Sequence, residues 1–214
     1  MQYADALRYL DEHSSYERTG RVDSPSTKNI EILLDAIANP QHSYRSIHIT
    51  GTNGKTTTTR LLEQGLTTAG VPAAVVGTVG TRIAGQGVAT DLTTPEAPDL
   101  HGLFAVMAEH GVDTCAMEVS SHGLHQDRVA GIRYDAAVFT NLTRDHLDYH
   151  GTMEAYFRAK ANLFTPSRAD MGVIGVDTPW GARLAAEANI PVVTWSSQGA
   201  VADWNLTTVG GRTL

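Results

Sequence analysis

Residues 47–57 read IHITGTNGKTT, in which a short apolar strand runs into a glycine-containing loop that ends in Lys55 and Thr56. Gly51 and Gly54 allow the backbone to approach a ligand closely, and the helix expected after the loop presents the positive end of its dipole to an anion. In loops of this kind the lysine reaches the β- and γ-phosphates, and the threonine binds Mg²⁺. The segment therefore predicts a triphosphate-binding loop.

The spacing of the glycines differs from the general pattern G-x-x-x-x-G-K-[ST], which asks for a glycine at position 49. Ile49 stands there instead, and the first glycine is Gly51, so that the loop reads G-x-x-G-K-T. An ordinary strand-to-helix turn rich in small residues is the competing interpretation. The apolar strand before the loop and the helical pattern after it favour the phosphate loop.

Composition limits the possible class of protein. A chain of 214 residues with 42% hydrophobic content is near the usual size of one α/β domain. Its net charge of −7 and its lack of a Lys and Arg cluster argue against a nucleic-acid partner.

The single cysteine, Cys115, excludes an internal disulfide and is predicted to be a small core residue. With no secretory signal and no apolar run of membrane-spanning length, we expect a cytoplasmic protein without a membrane partner.

Short apolar strands alternate with amphipathic helices through most of the chain. Strands are predicted at 47–50, 72–76, 113–118, 136–139, 173–176 and 192–194, and helices around 61–66, 99–110, 153–164 and 180–188. The polar segment 78–94 predicts an edge hairpin or a loop. This alternation predicts an α/β fold of the P-loop type, a mostly parallel sheet with helices on both faces.

Polar residues follow several of these strands, where ligands bind in parallel sheets. We expect the loop 51–57, Glu118 with Ser120, and Asn141 to converge on one crevice. Glu118 ends an apolar strand and could hold Mg²⁺, which prefers oxygen ligands, although a solvated glutamate is the competing interpretation. Lys160, taken alone, is expected to be a surface lysine of its helix.

Segment 141–150 contains acidic residues, an arginine and two histidines. Together with His122 and His125, its histidines could suggest zinc, but without cysteine pairs or an HExxH helix their spacing is weak evidence. We expect His122, His125 and His150 to be ordinary loop histidines with satisfied hydrogen bonds. Magnesium is the better prediction, because a triphosphate loop requires it.

Four motifs occur in a fixed order: GTNGKTTTT at 51–59, DLTTPEAP at 91–98, EVSSHGLHQDRV at 118–129 and FTNLTRDHLDYHGTMEAYFRAKANLF at 139–164. In this set the chain resembles the ATP-binding central domain of the Mur ligases over roughly residues 46 to 203. The similarity is greatest to members that add the third amino acid to UDP-N-acetylmuramoyl-L-alanyl-D-glutamate. The G-x-x-G-K-T spacing is a feature of this family.

The resemblance implies a role for each motif residue. The ATP-binding residues would be Gly51, Thr52, Asn53, Gly54, Lys55, Thr56, Thr57 and Asn141, with Asp177 near the nucleotide. The Mg²⁺ ligands would be Thr56, Glu118, His146 and Lys160, the last carried as a carbamate. The residues that hold the UDP-muramoyl peptide would be Thr93, Thr94, Ser120, Gln126 and Arg128. The catalytic residues would be Lys55, Lys160 and His146.

The activity implied by the resemblance is ATP-dependent amide formation through an acyl phosphate. ATP and Mg²⁺ would be the cofactors, and a UDP-muramoyl peptide or a near analogue would be joined to an amino acid. Residues 46–214 would form the central domain, truncated before the C-terminal domain that closes the site in family members. Leu92 stands where these ligases commonly have asparagine, which removes one polar contact to the substrate.

Residues 1–45 are predicted to form a helical prelude packed on the core, with helices near 3–10 and 27–38. This prelude resembles the start of folylpolyglutamate synthases, relatives of the Mur ligases, and leaves no separate domain to anchor uridine. Two alternatives therefore stay open: a ligase that adds glutamate to folate, and a nucleotide-binding module without turnover.

Overall fold

A computed structural model of the protein describes residues 44–206. The helical prelude predicted for residues 1–45 lies almost wholly outside this range, and so do residues 207–214. Within the described range, the strands are β1 (Arg45–Thr50), β2 (Ala73–Val76), β3 (Thr81–Ile83), β4 (Gln86–Val88), β5 (Thr114–Glu118), β6 (Tyr134–Phe139), β7 (Ala169–Gly175), β8 (Val192–Ser196) and β9 (Trp204–Asn205). The helices of this range are α1 (Lys55–Thr68), α2 (Ala97–Glu109), α3 (Ser121–His125), α4 (Leu147–His150), α5 (Met153–Ala161) and α6 (Pro179–Glu187).

The strands form one sheet in the order β4-β3-β2-β5-β1-β6-β7-β8-β9. Neighbouring strands are parallel except in the β2-β3-β4 meander, where both pairings are antiparallel. β1 lies between β5 and β6, so the chain passes from β5 across β1 to continue the sheet on the other side. Strand order reverses at β1, and open α/β sheets bind their ligands at such a switch point.

Helices cover the sheet on both faces, which confirms the predicted α/β fold. The right-handed rule for crossovers between parallel strands places α1 on one face and α2, α5 and α6 on the other. The core contains aromatic side chains from helix and strand, for example Phe139 of β6, whose ring meets that of Phe164 edge-on at 6.3 Å between centroids. Cys115 is buried among these apolar residues, which confirms the prediction made for it.

Three elements differ from the sequence predictions. Residues 121–125 and 147–150 form the short helices α3 and α4, where loops were expected, and β9 forms beyond the last predicted strand. Helices this short carry too little periodicity to be recognised, and α3 also contains Gly123, a poor helix former. The hairpin expected within 78–94 is confirmed by β3 and β4. No helix in residues 44–206 combines the length and apolarity needed to cross a bilayer.

Two helical glycines have opposite surroundings, and they give a matched test of the packing of α6. A Cβ on Gly181 would lie 1.8 Å from the carbonyl oxygen of Gly175 at the end of β7, whereas a Cβ on Gly65 of α1 would meet nothing within 4 Å. We expect Gly181→Ala to lower the free energy of unfolding by about 1–3 kcal/mol, because the strand end must move. Gly65→Ala is expected to raise it by about 0.5–1 kcal/mol. Urea denaturation measures both, and an increase for both variants would contradict this packing.

Candidate functional site

The loop after β1 requires glycine at two positions. Gly51 has φ 145°, and a Cβ there would lie 2.0 Å from Oγ1 of Thr140. Gly54 has φ 85° and precedes α1 without a side-chain cap, so the N–H groups of the first helical turn have no side-chain acceptor from the capping residue. A loop that exposes such N–H groups to solvent fits an anion such as a phosphate.

Asn141 braces this loop from the end of β6. Its Oδ1 accepts a hydrogen bond from the N–H of Asn53 at 3.0 Å, and its Nδ2 donates to the Asn53 carbonyl at 3.1 Å. The Asn141 carbonyl accepts from the N–H of Thr52 at 3.0 Å. The structure therefore brings Asn141 to the loop as the sequence predicts. Thr57 lies exposed in the first turn of α1.

Two lysines converge on the carbonyl oxygen of Gly51. Nζ of Lys55 and Nζ of Lys160 each donate to it at 2.9 Å. Lys55 also donates to the Thr52 carbonyl at 3.1 Å, and Lys160 to Oγ1 of Thr50 at 3.3 Å. Lys160 is 1% exposed, so the expectation of a surface lysine was wrong. It is buried because α5 packs its inner face against the phosphate loop.

Burial changes the acid–base properties of both lysines. It lowers the pKa of Lys160 to about 7, and the neighbouring charge of Lys55 acts in the same direction, while Asp145 opposes them. Burial also lowers the pKa of Lys55, against the opposing effects of Glu118 and Asp145. A large fraction of Lys160 is therefore a neutral amine near neutral pH, which is the form able to react as a nucleophile.

Glu118 points its carboxylate into the same crevice from the end of β5. It is 1% exposed, and it accepts hydrogen bonds from Oγ1 of Thr56 at 2.9 Å and from the N–H and Oγ1 of Thr78 at 2.9 and 3.0 Å. A Cβ on Gly77 would lie 2.2 Å from its Oε1. Within residues 44–206, no Lys, Arg or His forms an ion pair with this carboxylate. A buried carboxylate held by neutral donors fits a cation beside Thr56.

The part of the chain that the structure describes contains no group of three or more His, Cys, Asp or Glu side chains arranged to hold a metal. Mg²⁺ nevertheless fits Glu118 and Thr56, because it takes one or two protein ligands and completes its shell with phosphate and water oxygens. His146 lies at the start of α4 with φ 50°, and its Nε2 is 3.5 Å from Oδ2 of Asp145. Its role as a metal ligand stays a prediction.

Most of the predicted substrate residues lie together at the ends of β2 and β5. The N–H of Ser120 donates to Oγ1 of Thr94 at 3.0 Å, and Arg128 donates to the Thr94 carbonyl at 3.1 Å while it pairs with Glu96. Oγ1 of Thr93 is 3.0 Å from Oγ1 of Thr78, and through Thr78 it is linked to Glu118. The sequence-predicted substrate and metal residues are therefore connected by hydrogen bonds.

Two predicted residues lie further out in the described structure. Gln126 is exposed at the end of α3, with Nε2 3.5 Å from the hydroxyl of Tyr149. Asp177 follows β7 and accepts hydrogen bonds from Ser196, Ser197 and Gln198, which organise the turn after β8. Its proximity to a nucleotide stays a prediction.

His122, His125 and His150 were expected to be loop histidines with satisfied hydrogen bonds. They lie instead in the short helices α3 and α4, and Nε2 of His150 is buried with no hydrogen-bond partner among the described residues. With His146 and Tyr149 they form one aromatic cluster. The distance between ring centroids is 5.0 Å for His122 and His146, 5.7 Å for His122 and His150, and 6.1 Å for His125 and His150. Burial and the neighbouring histidines lower the pKa values of His122 and His150. The cluster forms because α3 and α4 both pack against α5.

Two residues of the site, Thr78 and Tyr156, were not predicted from the sequence. Thr78 comes two positions after β2 ends, so its place beyond a parallel strand was an available signal. Tyr156 lies one turn before Lys160 on α5, and its hydroxyl is 3.3 Å from Oγ1 of Thr52. That contact joins residues far apart in sequence, and only the folded structure shows it.

The lowered pKa of Lys160 predicts a pH-dependent contribution to stability. Between pH 7 and the ordinary lysine pKa of 10.5, the unfolded chain binds a proton at Lys160 that the folded chain does not. Stability therefore rises with pH in this window, by up to about 1.4 kcal/mol per pH unit. We expect Lys160→Met to lack this increase when both proteins are unfolded by urea at pH 7 to 9.5 in buffers free of carbon dioxide. If the free energy of unfolding changed with pH in the same way for both proteins, the lowered pKa of Lys160 would be contradicted.

Comparison with known proteins gives the same family as the motifs. Residues 49–211 match the family model described as the Mur ligase middle domain. A UDP-N-acetylmuramoyl-L-alanyl-D-glutamate–2,6-diaminopimelate ligase from Streptomyces coelicolor is 49% identical over 184 residues, which cover 86% of this chain and 36% of that protein. The chain thus spans about a third of the length of such relatives.

Solved structures agree with the sequence comparison. A UDP-N-acetylmuramoyl-L-alanyl-D-glutamate–2,6-diaminopimelate ligase has a TM-score of 0.70 at 34% identity, covering 82% of this chain and 36% of that one. The Mycobacterium tuberculosis folylpolyglutamate synthase complexed with ADP has a TM-score of 0.65 at 24% identity, covering 91% and 51%, and it shares the fold. The matched family model spans most of the described residues, and the chain belongs to the Mur ligase family as a middle domain.

Proposed function

We propose that this chain is the ATP-binding part of a ligase that joins an amino acid to a UDP-muramoyl peptide. The observation that carries the proposal is the meeting of three features at the carboxyl end of the central strands: the uncapped glycine loop, the buried Glu118 and the buried Lys160. The names of the relatives support the substrate class. Residues 46–214 would be the central domain and residues 1–45 a prelude packed on it. Because the reaction consumes ATP, the proposal also expects a cytoplasmic protein. The net charge of −7 and the lack of a membrane-spanning helix in residues 44–206 support the expectation of no nucleic-acid or membrane partner.

Bound ATP would supply the phosphoryl group that activates the substrate carboxylate as an acyl phosphate, with ADP as the leaving group. The amine of the amino acid would then attack the acyl carbon and displace inorganic phosphate. The loop residues Gly51–Thr57 would surround the phosphates. Because the N–H groups of Thr52 and Asn53 donate to Asn141, the donors would be the uncapped N–H groups at the start of α1. Lys55 neutralises phosphate charge, for which its Nζ must leave the carbonyls of Gly51 and Thr52. Glu118 and Thr56 would hold Mg²⁺, and His146 is proposed as a further ligand.

Lys160 is proposed to act as a carbamate. Its buried neutral amine can add carbon dioxide with loss of one proton to solvent, and the carbamate formed is an anion. Its oxygens could hold a second Mg²⁺, which an ammonium group cannot do. The same change removes the repulsion between Lys160 and Lys55. In this form both lysine positions support a site for phosphate and metal.

Thr93, Thr94, Ser120, Gln126 and Arg128 are proposed to hold the muramoyl peptide. Arg128 supplies a positive charge for the acidic substrate, and it is already oriented by Thr94 and Glu96. The hydrogen-bonded link from Thr93 through Thr78 to Glu118 supports this proposal, because it joins a proposed substrate residue to a proposed metal ligand. There are two alternatives. One is a folylpolyglutamate synthase-like ligase, which the resemblance of the prelude favours, and the second is a nucleotide-binding module without turnover.

Phosphate release distinguishes these functions. We expect ATP-dependent release with UDP-N-acetylmuramoyl-L-alanyl-D-glutamate plus diaminopimelate or lysine, and none above background with folate plus glutamate. Lys55→Met is the control, since it removes the phosphate-contacting charge. Release with folate and glutamate alone would replace the proposal by the folate ligase, and nucleotide binding without release in either mixture would favour the module.

The carbamate is tested by chemical rescue. Lys160→Ala is expected to lower turnover by at least about 100-fold, a loss typical of removing one electrostatic group from an active site. Short carboxylic acids such as acetate should restore part of the activity, because they can place an oxygen anion in the vacated space. Undiminished activity of Lys160→Ala would contradict the role, and a loss without rescue by any short acid would favour a plain ammonium.

A further inference from the structure

Tyr156 lies on α5 one helical turn before Lys160, so the two side chains share a helix face. Both are 1% exposed. Nζ of Lys160 is 4.8 Å from the centroid of the Tyr156 ring, close enough for the ring face to attract an ammonium group. The ring therefore forms one wall of the space that Lys160 occupies.

The hydroxyl of Tyr156 contacts the phosphate loop at Thr52. Oγ1 of Thr52 accepts from the N–H of Thr143 at 3.0 Å and donates to the Thr143 carbonyl at 3.2 Å. A threonine hydroxyl carries one proton, so Tyr156 must be the donor in its 3.3 Å contact with Thr52. Burial raises the pKa of Tyr156, which keeps this donor protonated.

The ring is itself held by the histidines of the neighbouring segment. The His150 ring stacks on it at 5.1 Å between centroids and 28° between planes, and the His146 ring meets it edge-on at 6.0 Å. A side chain with contacts on its ring and its hydroxyl has little freedom to move. It can therefore hold the elements that it contacts at a fixed distance from one another.

We infer that Tyr156 is a positioning residue that sets the distance between the phosphate loop and Lys160. Two successive loop residues are bound by the same helix face: Gly51 accepts from Lys160, and Thr52 accepts from Tyr156. The inference rests on the proposed function, because the loop it positions is the proposed nucleotide site. Tyr156 acts through Thr52 and Lys160 and not by touching the reacting atoms.

Tyr156→Phe tests the hydroxyl, because it keeps the ring and removes the bond to Thr52. We expect the dissociation constant for the magnesium complex of AMPPNP, measured by calorimetry on the full chain, to rise roughly 2- to 10-fold, as for the loss of one neutral hydrogen bond. Tyr134→Phe is the matched control. Tyr134 is fully buried in β6, and its hydroxyl has no hydrogen-bond partner among the described residues, so its removal should leave the dissociation constant unchanged.

A double-mutant cycle separates positioning from a general loss of stability. In a Thr52→Val background, which lacks the acceptor, Tyr156→Phe should weaken AMPPNP binding no further. Tyr156→Leu tests the ring. In buffer free of carbon dioxide, which keeps Lys160 a free amine, Lys160 of this variant should react faster with an amine-reactive reagent, followed at its peptide by mass spectrometry. Tyr156→Phe should leave it protected. Thermal unfolding of each variant shows that it is folded at the temperature of the measurement.

The results distinguish a failure of the proposed function from a failure of the role proposed for Tyr156. A wild-type chain that does not bind AMPPNP would overturn the proposed function. Wild-type binding that Tyr156→Phe leaves unchanged, or that Tyr134→Phe weakens equally, would overturn the role of Tyr156. An equal loss from Tyr156→Phe with and without Thr52→Val would overturn it as well, and so would unchanged protection of Lys160 in Tyr156→Leu.

Discussion

Two ammonium groups share one backbone acceptor at the centre of this protein. The carbonyl oxygen of Gly51 accepts hydrogen bonds from Lys55 of α1 and Lys160 of α5, and the two positive charges repel each other at a largely buried position. Carbonyl and hydroxyl acceptors offset part of the repulsion, and the lowered pKa of Lys160 relieves more of it. The strand, both helices and the loop must all be in place for this contact to form. Negative charge entering the crevice would relax it, which is the property expected of an anion site.

Threonine hydroxyls connect the separate parts of the crevice. Thr78 gives its single proton to Glu118, so Thr93 is the donor in the contact between Thr93 and Thr78. Thr56 approaches the same Glu118 oxygen from the other side. The family resemblance assigns Thr93 to the substrate and Thr56 and Glu118 to the metal. These residues are thus joined by one continuous series of hydrogen bonds. Loss of the Thr93 hydroxyl would remove the donor to Thr78, the residue that in turn donates to Glu118.

The sequence predicted the parts of the fold that depend on local pattern. Strands such as β1 and β5 are buried on both faces, so they read as apolar runs, and the glycines of the loop stand where the backbone requires them. Local pattern did not predict the burial of Lys160, because that burial comes from a contact between α5 and a loop more than a hundred positions earlier. The histidine cluster was missed for the same reason, since it depends on how two very short helices pack. Tyr156 carried no local signal at all.

β1 is hydrogen-bonded along both edges, to β5 and to β6, whereas β9 pairs with β8 over only two positions. Native proteins open first at weakly paired margins, and their central strands exchange amide hydrogens only when the whole domain opens. The phosphate loop therefore continues from the part of the sheet that fluctuates least. Fraying beside β9 can proceed without disturbing the geometry around Gly51, so the slowest-exchanging amides and the anion site belong to the same cooperative unit.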